Sequence, residues 1–156
     1  MKRKISLIIM VISAIIGFSA CSFETDKVDG DNDFEGFWHL ESIETMPTDS
    51  TSEIVIQDFS KGRIFWAFQM KLLQLRDFND YSVPSLFCRF NIANGKITIT
   101  EAYTFNESEQ QDVPVTEDSV LIHYGIPTLN TTYDYSIDGS KMILSTSNIR
   151  LRLTKF

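Results

Sequence analysis

From residue 36 to the end of the chain, apolar side chains recur at every second position between short turn-forming stretches, and hardly any segment has a helical repeat. Successive side chains of a strand point to opposite faces, so this spacing describes strands with one face in a core and the other in water. In "GFWHLESIE" (36–44), Gly36, Trp38 and Leu40 share one face while His39 and Glu41 take the other. "SEIVIQDF" (52–59) is a weaker strand closed by "SKGR". From Gly62 to Gln74, Ile64, Trp66, Phe68, Met70 and Leu72 form an apolar face opposite Arg63, Phe65, Ala67, Gln69 and Lys71, which predicts one long strand.

The pattern continues with Leu86, Cys88, Phe90 and Ile92 on one face, a turn at Asn94-Gly95, and a strand with Ile97 and Ile99 inward. Asn-Gly suits a type I′ turn, whose two central residues need positive φ, so a hairpin is expected here. Asn106 to Asp118 carries acids and no basic residue and reads as an exposed loop. "SVLIHYGIP" (119–127) fits a short strand or a helical turn equally well. The last third reads as three strands turning at Asp138-Gly139 and at Thr146-Ser147-Asn148. There Tyr133, Tyr135, Ile137, Met142, Leu144, Ile149, Leu151 and Leu153 face in, and Arg150 and Arg152 face out. About eight strands joined by short turns leave two exposed edges unless the sheet closes. The expected fold is therefore all-β, an up-and-down antiparallel β-barrel spanning residues 34–156.

The chain begins differently. Lys2, Arg3 and Lys4 precede an uncharged apolar run from Ile5 to Phe18 and then small residues, the order of a secretory signal peptide over residues 1–20. The run is too short for a stop-transfer span. Phe18-Ser19-Ala20-Cys21 resembles a bacterial lipobox, which implies that Cys21 becomes the first mature residue and carries lipid, anchoring the protein to a membrane. Phe18 departs from the more usual Leu. The alternative, a plain signal, leaves Cys21 as a free thiol beside one other cysteine, Cys88. Cys88, in an alternating strand, is expected to be a small buried core residue.

Residues 22–35 hold six acids against Lys27 alone, and so little apolar surface cannot fold by itself. Residues 21–33 are accordingly read as an acidic tether. An acidic stretch behind a lipidated cysteine also resembles the surface-export signals of Bacteroidetes lipoproteins, and a bland linker fits equally well. An outer-membrane location is expected, with the periplasmic and surface faces both open. Loss of residues 1–20 removes three basic residues and no acid, leaving 11 basic against 21 acidic residues, near −10. A chain this acidic offers no basic patch for counterion release and is not expected to bind nucleic acid.

Gly36-x-Trp38 at the start of the first strand, in an all-β domain of this length with an amphipathic last strand, resembles the lipocalin signature. With the signal and the tether, the chain looks like the small lipocalin-like lipoproteins of Bacteroidetes. The resemblance implies that Trp38 packs across the closed end of an eight-stranded barrel, with Arg152 or Lys155 stacked on it. A second lipocalin motif is missing in its usual place, since Thr132-Tyr133-Asp134-Tyr135 falls late and is misordered.

Catalytic signals are weak. His39 and Glu41 lie two apart on one face and suit an acid/base or metal pair, yet only His123 remains as a second histidine and no zinc spacing occurs. A solvent-facing strand histidine is the expectation. Glu101, Glu107, Glu109, Asp112, Glu117 and Asp118 lack the spacing of a calcium loop. No nucleophile elbow, phosphate loop or Ser-His-Asp order is present, so neither an enzyme nor a cofactor or metal is expected. Asp49-Ser50-Thr51 and Asp118-Ser119-Val120 resemble the Bacteroidetes O-glycosylation acceptor. Trp38, Trp66, Phe68, Met70, Tyr133 and Tyr135 are the candidate ligand-lining residues, for a small hydrophobic or glycan-like ligand inside the barrel. The competing expectation is a filled barrel whose outer face docks a membrane protein or a surface glycan.

Overall fold

A computed structural model describes residues 32–47 and 53–156. The signal peptide, Cys21, the tether as far as Asp31, and Ser50 lie outside the described residues. Ten antiparallel strands follow a 3-10 turn at Asn32–Phe34: β1 Gly36–Thr45, β2 Val55–Asp58, β3 Ile64–Gln69, β4 Leu72–Asp77, β5 Leu86–Ala93, β6 Lys96–Asn106, β7 Gln111–Pro114, β8 Thr132–Asp138, β9 Lys141–Ser145 and β10 Ile149–Lys155. A single helix among the described residues, α1, spans Asp118–His123.

Eight of the strands run in the order β1-β3-β4-β5-β6-β8-β9-β10, and β10 pairs with β1 from Trp38↔Lys155 to Thr45↔Ile149, which closes the barrel. The two longest strands each change partner midway. β1 pairs with β3 through Gly36–His39 and with β2 through Ser42–Thr45. β6 pairs with β8 through Lys96–Thr98 and with β7 through Tyr103–Asn106. β2 and β7 thus extend the wall at one end without adding staves, and β7 occupies part of the expected 106–118 loop.

Two bulges reset the alternation. The β1–β10 register shifts between Leu40 and Ser42, leaving Glu41 as the extra residue, so that Leu40 and Ile43 both reach the core. The β5–β6 shift at Arg89/Phe90 does the same for Ile99 and Ala102. The hairpin at Asn94-Gly95 forms as the dipeptide predicts, with φ of 52° and 72°.

The expected long strand 62–74 is instead a tight hairpin. β3 ends at Gln69, Met70 takes φ of 54°, and β4 starts at Leu72. Residues opposite each other share a face, so Phe68↔Leu73 and Trp66↔Leu75 point inward. Leu72 and Met70 are turned out, Met70 with 61% of its surface exposed. Met70 therefore does not line the interior. Methionine is a poor positive-φ residue, and the turn is fixed by pairing across β3 and β4, a long-range gain that parity along one segment does not reveal.

Both ends of the barrel are stopped. At the end where β1 begins, Phe34 of the 3-10 turn packs edge-on against Phe68 at 5.3 Å and Tyr135 at 4.6 Å. The Trp38 indole N–H donates to the Phe34 carbonyl at 2.8 Å, and the Lys155 ammonium stands 5.2 Å over the Trp38 ring. At the other end, the 119–127 stretch resolves into α1 followed by a turn that drops Leu121, Tyr124 and Ile126 into the mouth, all buried. The Tyr133 hydroxyl donates to the Gly125 carbonyl at 2.8 Å, Tyr124 to the Pro84 carbonyl at 3.0 Å, and His123 Nε2 to Asp77 Oδ2 at 3.0 Å. A helix this short is held by its packing and these bonds rather than by propensity.

On the outside of β1, Glu44 lies between Arg150 and Arg152 of β10. The hydrogen bond and charge of Arg152, helped by Arg150, hold its carboxyl below the usual carboxylate range. A folded value below the unfolded one stabilises the native state above that pH, and the contribution disappears as pH falls through the folded value. Both guanidinium groups are substantially exposed, so the pair is worth under about 1 kcal/mol. Glu44→Gln is expected to flatten the urea midpoint between about pH 5 and pH 3 relative to wild type. Parallel curves for the two proteins across that range would show that the pair carries no proton linkage.

Candidate functional site

The residues expected to line a pocket separate into three groups. Trp38, Trp66, Phe68 and Tyr133 point inward and are almost fully buried. Tyr135 is half-buried against Phe34, and Met70 stands in solvent at the β3–β4 turn. Trp66 and Phe68 are in ring contact at 6.2 Å, and Phe90, on the apolar face that alternation assigns with Leu86 and Cys88, meets Phe68 at 5.3 Å. Leu121, Tyr124 and Ile126 enter from the mouth. These side chains are in contact with one another as a core, which is how a barrel of eight strands fills. Burial pushes the Cys88 thiol up to about 12, so it is a small hydrophobe here rather than a nucleophile. The same desolvation raises Tyr124 to about 12 and moves Tyr133 further still in the same direction.

One interior group is unsatisfied. The Trp66 indole N–H is buried with no acceptor, the sole such side-chain atom among the described residues.

The clefts that described residues line open on the outside of the sheet. The richest in aromatic side chains, about 340 Å³, is walled by Phe37, Phe65, Phe78 and Phe156 and lined also by His39, Gly62 and Arg63. Phe65 is its hub, with Phe37 at 6.4 Å, Phe78 at 5.8 Å, Phe156 at 5.5 Å and His39 at 5.4 Å. A shallow 90 Å³ hollow between Ala67, Gln74 and Arg76 joins it to a second groove of about 410 Å³ that runs past Leu72 and Phe87 to Glu35. Alternation alone does not reveal this surface, because Phe65 shares its outward face with Arg63, Ala67, Gln69 and Lys71. Phe78 and Phe156 lie beyond strand ends, where alternation says nothing. The signal was present in the outward positions Phe37 and Phe65, which become diagonal neighbours only once β1 and β3 are paired.

His39 is not free in solvent. Its Nδ1 lies 3.0 Å from a Glu41 carboxylate oxygen and its Nε2 2.9 Å from the Gly62 carbonyl. Both partners are acceptors: the Nε2 contact ties the 59–63 loop to β1, and the Nδ1 contact stays within β1. Ser119 is exposed in the first turn of α1. Among the described residues no three His, Cys, Asp or Glu side chains come together in a metal-binding group.

An eight-stranded closed antiparallel barrel, with a 3-10 turn stopping one end and a Trp on the first strand capped by a basic residue of the last, defines a lipocalin-like architecture. The family of the lipocalin-like domain matches residues 16–156, and the chain belongs to that family. Lys155, rather than Arg152, is the residue over the Trp. A solved structure of an uncharacterized protein from Bacteroides eggerthii DSM 20697 is 13% identical, with 78% of this chain and 98% of that chain covered and a TM-score of 0.48. Comparison with curated proteins gives no match.

Proposed function

We propose that this lipocalin-like protein is a lipid-anchored, non-enzymatic binding protein of the cell envelope. In this reading the barrel is a filled scaffold and the aromatic outer face takes a small hydrophobic or glycan-like ligand. The observation that carries it is the division of the aromatic residues. Trp38, Trp66, Phe68 and Tyr133 are consumed by the core, and the clefts of ligand size are walled by outward phenylalanines. The closed interior also supports the docking of a membrane protein or a surface glycan on this face. A second reading, an internal carrier, is favoured by the buried Trp66 N–H, which has no acceptor among the described residues and could donate to a ligand's acceptor atom. Entry would require the α1 segment to leave the mouth.

Native mass spectrometry of the protein purified from its own host separates these readings. A retained mass in the small-molecule range that is lost in Phe37→Ser and kept in Trp66→Phe supports the outer face. Loss in Trp66→Phe alone supports the carrier, and a retained macromolecule supports docking. The anchor is tested separately, because it rests on the signal architecture and Cys21. Cys21→Ser is expected to leave the protein in the aqueous phase on detergent partitioning or trapped as an unprocessed precursor. Partitioning like wild type would exclude a lipid on Cys21.

A further inference from the structure

We propose that the 340 Å³ outer cleft is a site for a small soluble anionic amphiphile, a flat apolar body bearing one carboxylate or sulfonate. This rests on the outer-face reading and adds the chemical class of the ligand. The walls are four phenyl rings, Phe65 and the three packed around it, a surface that gains by covering a planar apolar group and offers it no hydrogen bonds. Phe37 and Phe156 are 51% and 91% exposed, so the ring cluster is open to solvent on one side.

The head-group is specified by charge. Arg63 and Arg76 both place their guanidinium groups against the Phe78 ring, at 5.4 and 4.6 Å from its centre. Neither is in an ion pair among the described residues, whereas Arg150 and Arg152 share Glu44. A guanidinium held against a phenyl ring keeps its N–H edge free, and that edge matches a carboxylate in a two-pronged contact. Arg63 lines the cleft and Arg76 lines the adjoining 90 Å³ hollow, so two cations with no ion-pair partner among the described residues meet at the Phe78 ring, in a chain of net charge −7. Among the described residues no acidic side chain lines the cleft; Glu41 is engaged by His39, Asp77 by His123, and Glu35 lines the neighbouring groove. The cleft therefore pairs an apolar floor with a cationic edge, and an anionic amphiphile satisfies both.

The test is calorimetric titration of 2-naphthoate and its neutral counterpart 2-naphthamide into the full chain in non-ionic detergent, against detergent alone. Naphthoate is expected to bind saturably at one per chain, and naphthamide at least about tenfold more weakly, the factor expected for one charge-assisted hydrogen bond. The double variant Arg63→Gln, Arg76→Gln should bring naphthoate down to the naphthamide level while leaving naphthamide binding unchanged. Phe65→Ser should weaken both compounds. Equal affinity for acid and amide would overturn the anion class while leaving the outer face as the binding surface. Weakening by Trp66→Phe, with no effect of the arginine changes, would put the ligand inside and overturn the outer-face reading itself. Absence of saturable heat, or a dimer in sedimentation that Phe37→Ser dissociates and naphthoate does not, would each overturn the proposal.

Discussion

Trp38→Ala is expected to lower the free energy of unfolding by about 3–5 kcal/mol, the range for removing a large buried aromatic without refilling its space. Trp38 has no exposed surface, and it opposes Trp66 on β3 and Lys155 on β10. Its ring is the contact between the first and last strands at the point where the barrel closes, so the cavity left by alanine opens at the seam. The change also leaves the Phe34 carbonyl without the 2.8 Å bond that holds the 3-10 turn over the barrel end. Trp38→Phe separates the two contributions: it keeps most of the packing and loses the bond, for which about 1 kcal/mol is expected. Urea unfolding of the three proteins measures both. A loss below about 1 kcal/mol for the alanine variant would mean that the seam does not depend on the indole.

Gly125→Ala is expected to destabilise by about 2–4 kcal/mol, combining the strain of a left-handed residue with overpacking at a closed site. Gly125 has φ of +86°, and a Cβ built there would stand 2.5 Å from one Leu151 methyl and 3.3 Å from the Ile43 methyl. Leu151 and Ile43 are themselves core residues, which limits how far they can give way. The same glycine presents the carbonyl that accepts from Tyr133. The effect should fall first on the α1 plug, so hydrogen exchange of residues 121–126 is expected to accelerate more than that of β8 to β10. Uniform acceleration across the barrel would show that plug and wall unfold as one unit.

The candidate site was only partly legible. Trp38, Trp66, Phe68 and Tyr133 were read as inward from alternation, and they are inward. What alternation cannot say is whether inward residues meet a void or each other, because that depends on strands distant in sequence and on what stops the ends. Met70 shows the failure at its sharpest. It continues the parity of Ile64, Trp66 and Phe68, and its own residue type gives no turn signal, yet the pairing of β3 with β4 turns the chain there and sends it into water. The outer aromatic cleft was unreadable for a related reason: Phe37 from β1, Phe65 from β3, Phe78 after β4 and Phe156 at the chain's end are brought together only by the closed sheet.

By itself the sequence determined what is local in the chain's physics. The two-residue period set the strands and most of their faces, Asn94-Gly95 set a hairpin because both residues tolerate positive φ, and the eight-stranded closure followed from the need to remove sheet edges. Only the tertiary structure decided the quantities that depend on meetings across the barrel. These are the shift of facing at the Glu41 bulge, the turn at Met70, and the seating of Leu121, Tyr124 and Ile126 in the mouth. Short apolar segments such as 119–127 satisfy strand and helix alike, and the choice falls to whichever form buries their side chains against partners already in place.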